Sequence, residues 1–488
     1  MRMYAFFHRI EDCHGPSGLA MTCRAALRKV LVLFVLWVNV VFCSACFAEL
    51  KGGCGKVNIT PPLGGLLIGS KGYVSDDVLD ELYAKALVLS DGNDTIAIVA
   101  TDLLYTPLEE ITTPVRKIVK EKTGIPEQNV LVCGTHTHSG PEVFTRSKLR
   151  SEKKTADPKI DQFYLQTLIR KIAGSVLIAC KNMQSSSRRA RSQVKIGAAK
   201  GQIPEILYNR RPRDSHGLVK MAFTLPPEVA ATKKIQTGPD GDVRVTFTMP
   251  DKRPALDFGP IDPEVRVLRV EDMDGGIIGS LVNFGCHPVC IYPHLSTSIS
   301  ADYPAYATCV VEQTEGGTCL FALGLAGNTV PIERGVGPRQ QIGKALGGEA
   351  LKQLQLVTTT DNVTVGALKK KIKFPAKESV PAGDKKEPDE TTEYITTEMQ
   401  ILRLGDIYIL GLPGEVLVEV GLQIKKRAGL ENLFIVTVSN DAIGYVCHSA
   451  AYDEGGYEPG SATRLAKGAG EIMIEQALDL IGRVKSRR

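Results

Sequence analysis

Beyond residue 48 the sequence has no CxxC pair, no GxSxG elbow and almost no net charge, and each absence removes a class of function. Without CxxC, the cysteines make neither a zinc ribbon nor a thioredoxin-type redox centre. Without GxSxG, there is no nucleophile turn of the α/β-hydrolase kind. The 488 residues include 59 Lys+Arg and 54 Asp+Glu, of which five and two fall in the first 48 positions. The remainder is close to neutral and has no electrostatic footprint for nucleic acid. A small molecule or a neutral surface, such as a peripheral membrane contact, is the expected partner, and the oligomeric state is not readable. No internal repeat is evident, and beyond residue 48 no stretch is long and apolar enough to span a bilayer. Residues 337–344 (GPRQQIGK) have glycines one residue too far apart for a phosphate loop, and Ala345 stands where Ser or Thr belongs.

What is present is a globular composition, 43% hydrophobic and 23% charged, which excludes a disordered or fibrous chain. Residues 30–48 are nearly unbroken apolar sequence behind Arg28 and Lys29, closing on small residues up to Ala48. That pattern is an export signal, cleaved after Ala45 or Ala48, with Met21 an alternative start. An uncleaved membrane anchor over 30–48 is the alternative. Eight cysteines follow, and export permits disulfides among them whose pairing the sequence does not give.

The rest, 49–488, reads as alternating strands and helices. Strands are expected at 95–104, 129–134, 277–284, 318–323 and 433–439. Helices are expected at 109–122, 160–183, 305–313, 340–354 and 415–427. This alternation predicts an α/β fold with a mixed β-sheet core and surrounding helices, as a single large domain. Polar stretches near 184–192 and 376–392 read as exposed insertions.

Six histidines remain after residue 48. Two form His136-Thr137-His138 directly after the strand NVLVCG. In extended chain, residues i and i+2 point the same way, so both imidazoles are expected on one side. His287 follows the strand IIGSLVNF in the same manner. Three histidines at strand ends suit a zinc site, although an HxH pair also caps a strand by hydrogen bonding. Asp102, Asn328, Glu415, Asn440 and Tyr445 sit at the ends of other expected elements, where α/β crevices gather polar groups. Asn209-Arg210-Arg211-Pro212 offers a cation, with a surface role as its default.

These residues resemble the neutral/alkaline ceramidases, the non-lysosomal zinc amidases. Thr135-His136-Thr137-His138-Ser139-Gly140-Pro141 looks like that family's signature, and Asn283-Phe284-Gly285-Cys286-His287-Pro288 is similar to the segment holding its second zinc histidine. Residues 56–62 (KVNITPP) resemble its opening segment, with Asn58 in place of Asp. Gly414-Glu415, the segment from Asn440 to Tyr445, Tyr457-Glu458 and Asn209-Arg210 follow the family's pattern. The resemblance implies zinc bound by His136, His287, Glu415 and Tyr445, with His138 as general base. It implies that Arg210 and Tyr457 hold the developing oxyanion, and that zinc-bound water cleaves an amide, as in an N-acyl lipid. An ester substrate, or a binding relative without catalysis, are the alternatives.

Two departures stand out. Val330 occupies the position of the family's serine nucleophile, and Asn328 that of its aspartate. The chain also ends 31 residues after Tyr457, where the family continues into an immunoglobulin-like domain.

Overall fold

The computed structural model describes residues 49–488 except 69–72, 145–159, 185–192, 239–240, 251–254, 378–392 and 487–488. The export segment and most of both expected insertions therefore lie outside the described residues.

Twelve strands build three four-stranded sheets. The first holds β1 (Lys51–Asn58), β2 (Tyr83–Ser90), β3 (Thr95–Thr101) and β4 (Val130–Gly134). The second holds β5 (Val194–Gln202), β6 (Glu264–Asp272), β7 (Ile277–Phe284) and β8 (Thr318–Leu323). The third holds β9 (Val365–Pro375), β10 (Tyr394–Leu404), β11 (Ile407–Gly411) and β12 (Leu433–Val436).

One topology occurs three times. In every sheet the first three strands pair antiparallel and the fourth lies parallel to the third. A parallel pair needs a crossover, and here it is a helix each time: α1 (Thr113–Thr123), α3 (Asp302–Glu315) and α5 (Val418–Ala428). After each fourth strand comes a further helix: α2 (Gln162–Gln184), α4 (Val336–Leu356) and α6 (Ala469–Ser486). The expectation of no internal repeat is thereby corrected. The repeat lies in the topology, and sequence comparison misses it because only burial and strand order are shared.

The sheets meet in one aliphatic core. Leu87 and Ile98 from the first, Leu268 and Leu281 from the second, and Leu402 and Phe434 from the third are all at most 1% exposed and share a cluster. Each such side chain is worth roughly 1.5–3 kcal/mol when fully buried. Helices cover the outer faces. α2 is apolar and long enough, by length and composition, to cross a membrane, which differs from the sequence expectation. Its apolar stripe (Leu168, Ile172, Val176) is instead buried in the core. β1 permits this because it is glycine-rich: a Cβ on Gly55 would stand 2.0 Å from the Ser175 carbonyl. Residues 337–344 lie within α4 rather than in a loop.

Candidate metal centre

Parallel strand pairs create a crevice at their carboxyl ends. His136 and His138 follow β4, His287 follows β7, Glu415 follows β11 and Tyr445 follows β12. All three repeated units therefore contribute to one site.

His136 departs from the extended conformation expected for it. Its φ is 71°, a left-handed value that is uncommon and strained for a side chain of this kind. Its amide donates to Leu103 O at 2.9 Å and its Nδ1 to Leu104 O at 2.8 Å, so the loop after β3 fixes backbone and ring together. His136 and His138 still share one side, with ring centroids 4.9 Å apart, but a turn achieves this rather than strand alternation. His287 is held likewise, its amide donating to Thr329 O at 3.0 Å and its Nδ1 to Ala326 O at 2.5 Å.

Those carbonyls decide the tautomer. A carbonyl only accepts, so the Nδ1 of both rings carries hydrogen and Nε2 presents a lone pair. The two Nε2 atoms face each other at 3.2 Å. Glu415 Oε2 stands 3.3 Å from the first and 3.1 Å from the second, buried and without a hydrogen bond. His138 Nε2 is also buried without a partner. Ligand atoms of His136, His138 and His287 all fall within 4.8 Å of one another. A single proton between the imidazoles would leave Oε2 unpartnered, and buried polar groups are rarely left so. A cation at their common focus satisfies all three, and the donor set of imidazole and carboxylate fits zinc chemistry.

Electrostatics agree with lone pairs at the centre. Burial, then the Arg210 charge, pushes His287 down to about 4. Burial, then His136 and His287, holds His138 well below the usual histidine value, so it is a neutral base at pH 7.

Glu415 and Tyr445 sit side by side because their two-residue strands pair in parallel. Gly414 allows the approach: its φ is 75°, and a Cβ there would lie 2.5 Å from the Gly444 carbonyl. Glu415 thus belongs to a short strand ahead of α5, not to the start of a helix as expected. The Tyr445 hydroxyl is 3.4 Å from His287 Nε2 and accepts from Arg210 Nη2 at 3.0 Å. Arg210 is buried, not a surface cation. Its Nε donates to Glu458 at 2.8 Å and its Nη2 also to Gly327 O at 3.0 Å. The Tyr457 ring stands 5.7 Å from that of Tyr445, with the Arg210 Cζ 6.0 Å away.

One contributor escaped sequence reading. Tyr105 donates its hydroxyl to Glu415 Oε1 and packs edge-on against His136 at 5.2 Å. Burial, then Glu415, raises its phenol well above 10, so it remains a donor. Its only sequence signal was its place just beyond β3.

Other named residues do structural work. Asn328 accepts from Val418 N at 2.8 Å and donates to Glu419, anchoring the first turn of α5. Asn440, at φ 62°, accepts from Val132 N and joins β4 to the third sheet. Asp102 accepts from Tyr83 N and lines a separate cleft, with Thr135 and Lys85, that none of the three histidines lines. Val330 is fully buried in the core. The neighbouring Thr329 turns its hydroxyl inward to Gly285 O at 2.7 Å and Leu325 O at 3.1 Å. The eight cysteines among the described residues are all free.

No family model matches the sequence. Several solved structures match the fold, two of which illustrate it. A crystal structure of neutral ceramidase from Pseudomonas aeruginosa aligns at a TM-score of 0.66 and 17% identity, over 90% of this chain and 75% of that one. A ceramidase complexed with C2 aligns at 0.66 and 16%, over 90% of this chain and 76% of that one. With its three sheets and its site-bearing strand ends, this chain has the fold of neutral ceramidase.

Proposed function

We propose that the protein is a zinc-dependent hydrolase of the ceramidase type that cleaves an amide bond of an N-acyl lipid. The observation that carries this reading is the convergence of His136 Nε2, His287 Nε2 and Glu415 Oε2 with no hydrogen bond reaching Oε2. Tyr445 is the fourth ligand in this reading. The carbonyls of Leu104 and Ala326 fix both imidazoles from behind, as outer partners of metal ligands usually do. When bound, zinc would polarise the scissile carbonyl and lower the pKa of a water molecule toward about 7.

The chain's own residues supply the rest. His138, neutral and unpartnered at Nε2, takes the proton from the attacking water and delivers it to the leaving nitrogen. Arg210 stays charged through Glu458 and, with Tyr457, faces the carbonyl oxygen, where charge develops only in the transition state. At the loop position in question valine has no hydroxyl, and the neighbouring Thr329 hydroxyl is buried and held against the Gly285 and Leu325 carbonyls. Water is therefore the attacking group.

Export belongs to this proposal and rests on residues 30–48 alone; an N-terminus near Glu49 or Cys46 in protein from its native host would bear it out. The test of function is metal analysis of purified protein, followed by a panel of N-acyl amides and matched esters. About one zinc per chain and amide cleavage are expected. Full activity after complete zinc removal would overturn the reading, and ester cleavage alone would replace amidase by esterase.

A further inference from the structure

Arg334 is a guanidinium at the edge of this site that makes no ion pair among the described residues; a balancing carboxylate, Asp302, acts on it only from beyond contact distance. It donates from Nη1 to Tyr292 O at 3.2 Å and from Nη2 to Phe223 O at 2.5 Å. Among the described residues no carboxylate oxygen stands within ion-pair distance of it, and its Nε is buried without a partner. Its neighbours differ. Arg210 and Arg211 share Glu458, and Arg213 pairs with Glu454.

The two carbonyls that hold Arg334 belong to the two loops flanking the metal centre. The Phe223 ring packs 5.6 Å from that of Tyr457, with the Arg210 Cζ 5.4 Å above it. The Tyr292 ring stands 5.6 Å from that of His138. The cation is therefore tethered one side chain away from both the general base and the oxyanion groups. Two neutral carbonyls occupy two of its five N–H donors, leaving a fork suited to an oxyanion. A half-buried charge with open donors is costly unless an anion completes it.

We propose that Arg334 is an anion subsite, and that the preferred substrate is an N-acyl compound whose amine portion carries an oxyanion, as in an N-acyl amino acid. The acyl chain is apolar, so the charge lies on the leaving side. This rests on the amidase reading above and narrows it.

The experiment compares N-dodecanoylglycine with N-dodecanoylethanolamine, which share a chain and differ in charge. The wild-type protein should favour the first by about tenfold or more in kcat/KM, mainly through KM, because hydrogen bonds to charged groups are worth that much. Arg334→Gln keeps donors for the two carbonyls and removes the charge, so the preference should collapse toward unity. Arg334→Lys, which keeps the charge, should retain part of it. A wild-type preference at or below unity, or one unchanged in Arg334→Gln, overturns the subsite while leaving the amidase reading in place. If Arg334→Gln fails to fold, the wild-type preference and its decline with added salt decide the matter. Cleavage of neither amide would instead count against the amidase reading. Calorimetric binding of N-dodecanoylglycine to wild-type and Arg334→Gln protein then tests the subsite alone: about tenfold weaker binding in the variant supports it, and equal binding overturns it.

Discussion

Tyr105 and Glu415 are 310 positions apart in sequence, yet the phenol of one donates directly to the carboxylate of the other. The bond engages Oε1, which leaves Oε2 facing His136 and His287. Without it, the carboxylate is free to rotate. Tyr105→Phe should retain the edge contact with His136 but weaken zinc binding by about 10- to 100-fold, the usual effect of removing an outer-shell partner. Competition with a chelator measures this directly. An unchanged zinc affinity would show that Glu415 is oriented by packing alone.

The three histidines divide by role. His136→Ala and His287→Ala should abolish zinc content and activity together, since each removes a lone pair from the focus. His138→Ala should keep about one zinc per chain and lose activity by about 10²–10⁴-fold, the ordinary worth of a general base. Metal analysis beside turnover separates the cases. Loss of zinc from His138→Ala would make that residue a ligand.

Thr329 tests the source of the attacking oxygen. Its one hydroxyl hydrogen is shared between Gly285 O and Leu325 O, so Thr329→Val removes the buried donor that serves both carbonyls. Stability should fall by about 1–3 kcal/mol in denaturant unfolding. Turnover per folded molecule should stay within a few-fold of the parent, with no initial burst in either protein. A burst present in the parent and absent from the variant would restore a hydroxyl nucleophile and its acyl-enzyme.

Some of this was legible in the sequence and some was not, for identifiable reasons. Uniformly apolar strands such as β7 and β8 were found at their observed bounds. β6 (EVRVLRVED) and β9 (VGALKKKIKFP) interleave charges with apolar residues and were missed, and with them the threefold repetition. The histidines announced themselves by type and by position after strands. Tyr105 did not, because its role depends on meeting Glu415 across the fold. The burial of Arg210 was hidden for the same reason: a cluster of arginines looks like surface until Glu458 is found beneath it.

The last prediction concerns Asp102, which stands outside the metal centre in the cleft with Thr135 and Lys85. Burial pushes its carboxyl up to about 6 from 3.8, against the opposing pull of Lys85. A raised carboxylate pKa means the folded state holds the proton more tightly than the unfolded chain. Between about pH 4 and 6 folding takes up a proton, so stability falls as pH rises through that window. Above about 6 the cost is fully present, at roughly 2–3 kcal/mol for a shift of this size. Asp102→Asn removes the charge, while its carbonyl still accepts from Tyr83 N and its amide still faces the Thr135 hydroxyl. The variant should therefore be more stable than the parent at pH 8, with the advantage shrinking to near zero by about pH 4. Denaturant unfolding of both proteins at the two pH values measures the difference. An advantage equal at both would mean that the gain comes from altered hydrogen bonding and not from the lost charge.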